Sequence, residues 1–127
     1  MPRILLIEAD RQLAANLSQI FKKRGHTVDW QVQPQAAISR LDKQIADLII
    51  LDLVLAGRSG VEFLYELRSY PEWQGIPVVL YSHVAEAELP EDLNLKDLGV
   101  VTFHHKPVTS LDELAGSVDQ ALKQTTK

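Results

Sequence analysis

The sequence has 127 residues, 46% of them hydrophobic and 24% charged, which is enough apolar material for one domain whose core needs no covalent staple. It contains no cysteine, so disulfides, thiolate metal ligands and thiol nucleophiles are excluded. A formal net charge of -4 with acids and bases interspersed offers no basic stripe for direct nucleic-acid binding. No apolar run suits a membrane span or a secretion signal, and a cytoplasmic location is the expectation.

In chain order, the apolar run Arg3 to Ile7 predicts a first strand. Leu13, Leu17, Ile20 and Phe21 then recur at helical spacing, and Gly25 ends that helix as a C′ glycine. A second strand follows from Thr27 to Gln31, and Pro34 suits the first turn of a helix carrying Ile38 and Leu41. Asp47 to Leu51 reads as the third strand, and Ser59-Gly60-Val61-Glu62 as a capping box before Phe63, Leu64 and Leu67. The fourth strand spans Ile76 to Tyr81. Pro90 interrupts the stretch after it, leaving a short or displaced helix from Glu91 to Leu98 ahead of Gly99. Val100 to His104 is the fifth strand. Ser110 to Glu113 forms a second capping box, opening a terminal helix with Leu111, Leu114, Ala115, Val118 and Leu122 on one face. This alternation predicts an α/β fold with a parallel sheet. Repeats and linkers are absent from the sequence, so the expectation is a single domain over residues 1–127 with no output domain.

Open parallel sheets bind ligands beyond the carboxyl ends of their strands. Those ends carry Glu8, Asp52, Ser82 and Lys106: two carboxylates, a hydroxyl and an ammonium on one edge. A carboxylate closing the buried run "LIILD" is costly without a cation or water beside it, and nearby residues already supply the turn and the cap. Pro107 biases Lys106 toward an extended backbone. Asp10, just before helical periodicity begins, reads as an N-cap.

With these residues in place, the whole chain resembles a response-regulator receiver domain. "ILLIEAD", "LIILDLVLAGRSGVEFL", "IPVVLYS" and "FHHKP" match the family's motifs in order. The resemblance implies a flavodoxin-like (βα)5 three-layer sandwich with a parallel five-stranded sheet of order 2-1-3-4-5. It implies that the chain is not an enzyme but a phosphorelay signalling protein. Its Asp52 would accept a phosphoryl group from a histidine kinase or a phosphotransfer protein. Lys106 and Ser82 would contact the phosphoryl oxygens, and Ser82 and Phe103 would act as the switch pair. A downstream protein, or a second copy in a homodimer, would use the face of helix four, strand five and helix five. The family's Mg²⁺ would be held by Asp52, by the backbone carbonyl of Val54 and by Glu8 through water.

The match departs from the pattern at Ala9, which takes the place of the acid expected to bind the metal directly. A methyl group cannot coordinate, so weakened Mg²⁺ binding is expected, and Asp10 could substitute only by giving up its cap. His83 stands where a small residue is usual, and Phe103 lacks the hydroxyl of the commoner tyrosine. An alternative reading is therefore a pseudo-receiver, a protein-interaction module independent of phosphorylation. A flavin or nucleotide enzyme lacks support, because no glycine-rich loop follows the first strand. His104 and His105 point to opposite faces of a strand and do not suggest one metal site, while Trp30 and Trp73 read as packing residues.

Overall fold

The computed structural model describes residues 1–55 and 58–125. Its strands are β1 (Arg3–Ile7), β2 (Thr27–Gln31), β3 (Leu48–Leu51), β4 (Val54–Leu55), β5 (Arg58–Ser59), β6 (Val78–Ser82) and β7 (Val100–His105). Its α-helices are α1 (Arg11–Lys23), α2 (Pro34–Lys43), α3 (Gly60–Arg68) and α4 (Leu111–Thr125). The parallel sheet runs β2-β1-β3-β6-β7, while β4 and β5 form a separate antiparallel pair. With that pair set aside, the order is the expected 2-1-3-4-5 of the flavodoxin-like fold.

The inner strands bury both faces, which is why they read as unbroken apolar runs rather than alternating ones. One face contributes Leu5, Ile7, Ile49, Leu51, Val78 and Leu80 to a core shared with Leu41 of α2 and Phe63, Leu64 and Leu67 of α3. The other contributes Ile4, Leu6, Leu48, Ile50 and Val79, packed on Leu17 and Phe21 of α1 and Leu114 and Val118 of α4. Three layers follow from this two-sided burial.

Helix ends follow the sequence signals. Asp10 caps α1 by accepting from the Leu13 N–H at 3.1 Å, and Gly25 sits at φ 88° just past the helix, where a side chain would be strained. Pro34 occupies the first turn of α2. Ser59 caps α3 through the Val61 N–H rather than the Glu62 N–H of the expected capping box, while Ser110 and Glu113 exchange both bonds of a capping box at α4.

The expected helix over Glu91 to Leu98 does not form. Between β6 and β7 the described chain has a single 3-10 turn, Glu86–Glu88, followed by irregular turns. Leu89 is extended at ψ 154°, as the residue before a proline prefers, and Asn94 turns its side chain to the Asp97 N–H at 3.2 Å. Local side-chain bonding of that kind competes with helix. Leu89, Leu93 and Leu95 still pack against the core from this irregular segment.

Candidate functional site

Parallel register puts the site residues side by side. Ile7 pairs with Leu51, Leu51 with Leu80, and Ser82 with His105, so the residues at these strand ends meet along the carboxyl edge. The backbone of the acidic residues continues the ladder, Glu8 N–H bonding the Gln31 carbonyl at 3.2 Å and Asp52 N–H the Ile7 carbonyl at 3.3 Å. Gly60 closes the back of the site. Its N–H donates to the Leu53 carbonyl, and a Cβ there would lie 2.5 Å from the Asp52 carbonyl oxygen.

Asp52 is only 6% exposed, and its two oxygens have different partners. Oδ1 accepts from Ser82 Oγ at 2.9 Å and from the Val54 N–H at 3.1 Å, while Oδ2 binds Lys106 Nζ at 2.7 Å. Lys106 Nζ also reaches Glu8 Oε1 at 2.9 Å, so one buried ammonium joins both carboxylates. Burial works against that charge, yet the bonds and charges of Asp52 and Glu8 outweigh it and hold the Lys106 pKa above its ordinary value. The Tyr81 ring lies 5.6 Å from Nζ and adds a cation-compatible wall. Burial raises the pKa of the Tyr81 hydroxyl, with Glu8 adding to the rise and Lys106 opposing it.

Glu8, Asp52, Ser82 and Lys106 thus stand together as the sequence suggested. Asp10 does not join them through its carboxylate, which caps α1, although its N–H donates to Glu8 Oε2 at 3.0 Å. Val54 presents its N–H to Asp52. Phe103 stands half-buried away from this cluster, packed against the core and lining a cavity of about 560 Å³ with Leu95 and Val101. The exposed His83 offers its carbonyl oxygen to His105 Nε2 at 2.9 Å. Burial lowers the His104 pKa, with Glu113 opposing the shift, and its Nε2 is buried without a hydrogen-bond partner.

Sequence reasoning missed Trp30. Its Nε1 donates to the Glu8 carbonyl at 2.8 Å, and the Arg11 guanidinium lies 5.9 Å from its ring, so this tryptophan buttresses the acidic residue. Its place at the end of β2, next to β1, was the available signal.

The carboxylates provide a fit test for a divalent metal. Each of their four oxygens already has a protein donor: Lys106 and the Asp10 N–H on Glu8, and Lys106, Ser82 and the Val54 N–H on Asp52. Among the described residues, no group of three or more His, Cys, Asp or Glu side chains is placed to hold a metal ion. With Ala9 beside Glu8, the residues present do not make a fitting Mg²⁺ shell.

No helix among the described residues is long and apolar enough to cross a membrane. The family model of the response regulator receiver domain matches residues 4–119. The phosphate regulon transcriptional regulatory protein PhoB of Rhizobium meliloti is 30% identical over 124 residues, covering 98% of this chain and 53% of that protein. Sporulation initiation phosphotransferase F of Bacillus subtilis is 25% identical over 94% of this chain and 93% of its own length. The chain spans about half the length of several curated relatives it matches. Among solved structures, a sensor protein from Polaromonas sp. JS666 superposes with a TM-score of 0.86 at 27% identity, covering 98% of both chains. A signal receiver domain of a Luxo repressor protein from Vibrio parahaemolyticus gives 0.85 at 28% identity, covering 98% of this chain and 92% of its own. Sequence motifs, strand order and the cluster on Asp52 agree with these matches, and the chain belongs to the response-regulator receiver family of two-component signal transduction.

Proposed function

We propose that this receiver accepts a phosphoryl group on Asp52 from the phosphohistidine of a histidine kinase or phosphotransfer protein and passes the change to a downstream protein. The observation that carries the reading is the division of labour on Asp52, with Lys106 on one carboxylate oxygen and Ser82 on the other. A carboxylate oxygen bonds to phosphorus as the phosphorus–nitrogen bond breaks, and the donor imidazole departs with that electron pair. Lys106 and Ser82 are then within reach of the phosphoryl oxygens, supplying fixed positive charge and a hydrogen-bond donor where negative charge builds.

The output face on this reading comprises the irregular segment 83–99, β7 and α4, with Phe103 as the half-buried aromatic whose packing changes. Incubation with phosphoramidate followed by intact mass measurement tests the transfer. The wild type gains one phosphate and Asp52→Asn gains none. A wild type that stays unmodified at high donor removes the reading. It would leave the second one, a phosphorylation-independent interaction module, which Ala9 at the acidic edge favours.

A further inference from the structure

We infer that Lys106 is the resident cation of this acidic site, and that the chain holds its Glu8–Asp52 pair together without Mg²⁺. The inference concerns the ion rather than the phosphate, so it stands whether or not Asp52 is a phosphoacceptor.

Two carboxylates at 2% and 6% exposure cannot sit side by side without a counter-charge, because burial in a medium of low dielectric costs each far more than it does at the surface. In this chain the counter-charge is covalently attached. Lys106, whose side chain is 6% exposed, places Nζ 2.9 Å from Glu8 and 2.7 Å from Asp52. One ammonium against two carboxylates leaves a single net negative charge, which is a poor lure for a strongly hydrated divalent ion.

The neighbouring side chains add no free carboxylate. Asp10 uses its carboxylate on the Leu13 N–H and its own N–H on Glu8, so moving toward a metal would break the α1 cap and a bond to the acidic pair. The Val54 N–H adds a further donor to Asp52 Oδ1, and a backbone carbonyl from the same residue would bring a metal no charge. The side chain of Ala9 is exposed and offers no ligand. A metal entering between Glu8 and Asp52 would have to displace Lys106 from at least one of them and leave the ammonium buried with fewer partners.

Trp30 makes the test direct, because its indole is bonded to the Glu8 carbonyl, and in a Trp73→Phe background its emission reports on that residue alone. The wild type, titrated with MgCl₂ over the millimolar range against NaCl of equal ionic strength, shows no saturable change in tryptophan fluorescence and no Mg²⁺-dependent rise in melting temperature. Ala9→Asp restores a third acid and gains both responses, with saturation inside the millimolar range. Lys106→Met, in the Ala9 background, becomes Mg²⁺-responsive because the two carboxylates lose their counter-charge. If it folds poorly alone, recovery on adding Mg²⁺ is the same positive result. Lys106→Arg keeps the cation and stays unresponsive. A saturable millimolar response in the wild type, equal to that of Lys106→Met, overturns the inference. Failure of Asp52 to take up phosphate does not, since no step of this titration involves transfer.

Discussion

Arg68 offers the sharpest test of how the fold holds the segment where a helix was expected. It lies at the C-terminal end of α3, and its guanidinium donates to four carbonyls: Leu98 at 2.7 Å, Trp73 at 2.8 Å, Ile76 at 2.6 Å and Gln74 at 3.3 Å. Burial lowers its pKa, so the bonds must offset a desolvation cost before they stabilise anything. Arg68→Met removes that cost and keeps much of the packing, but leaves the part-buried Leu98 and Ile76 carbonyls without their donor, while the Trp73 carbonyl keeps the Ile76 N–H at 3.2 Å. An unsatisfied buried acceptor costs about 1–3 kcal/mol, and water can reach some of these, so the net loss is about 3 kcal/mol. Against a typical total of about 5–15 kcal/mol, that loss lowers the melting temperature by roughly 10 °C. Urea unfolding followed by circular dichroism measures it, and hydrogen exchange locates it, with protection falling first between residues 93 and 100. A midpoint within about 0.5 kcal/mol of the wild type, the range of an ordinary surface change, would refute the assignment.

Two glycine substitutions should move stability in opposite directions. Gly60→Ala drives a Cβ to within 2.5 Å of the Asp52 carbonyl oxygen and 2.7 Å of Leu53 Cα, costing about 1–3 kcal/mol by urea unfolding and slowing phosphate uptake at Asp52. Gly116→Ala, inside α4 with nothing within 4 Å of the added carbon, stabilises by about 0.4–1 kcal/mol in the same assay. On the alkaline side, Lys106 has a raised folded pKa, so its contribution is complete below the ordinary lysine value and is lost as pH climbs through the folded one. Urea midpoints of the wild type should fall above about pH 10, and Lys106→Met should flatten that limb. On the acid side, burial alone would raise the pKa of Asp119, but bonds from His26 at 2.7 Å and Arg24 at 2.5 Å hold it below the ordinary value. Its contribution is therefore present above the ordinary carboxylate range and lost as pH falls through the depressed value, and Asp119→Asn should reduce the acid loss.

The sheet was legible because burial on both faces writes each inner strand as a continuous apolar run. Asp47 shows the limit of that signal: it ends up outside β3, where its Oδ2 accepts the Arg3 N–H at 2.7 Å at the start of β1. The acidic site was legible because parallel strands deliver their last residues to one edge, so Glu8, Asp52, Ser82 and Lys106 could be placed together from strand positions alone. The segment after β6 was misread because Glu91 to Leu98 has helix-compatible composition apart from Asn94. Locally, the extended Leu89 before Pro90 and the Asn94 bond to the Asp97 N–H favour turns, and the Arg68 bond to the Leu98 carbonyl, from 30 residues away, adds a hold that no local pattern shows. Gly60 was hidden for a related reason: as part of a capping box it already had a role, and its close approach to Asp52 depends on how α3 returns to the sheet.

The segment that stands where the helix was expected is bonded both to the acidic edge and to α3. The segment is pinned at both ends by different chemistry. At its start, Ser82 Oγ donates to Asp52 and accepts the Val84 N–H at 3.2 Å, while His105 Nε2 meets the His83 carbonyl, so two consecutive residues after β6 are tied to the acidic edge and to β7. At its end, Arg68 fixes Leu98, and Gly99 must be a glycine both for its φ of 80° and because a side chain would strike that guanidinium. Between the pins, Leu89, Leu93 and Leu95 pack against the core, as Val84 and Leu98 do at the two ends. A change of partner at Ser82 therefore acts on one end of a segment whose other end is fixed. On the proposed function, Leu89, Leu93, Leu95 and Phe103, which pack against one core, are the side chains expected to repack.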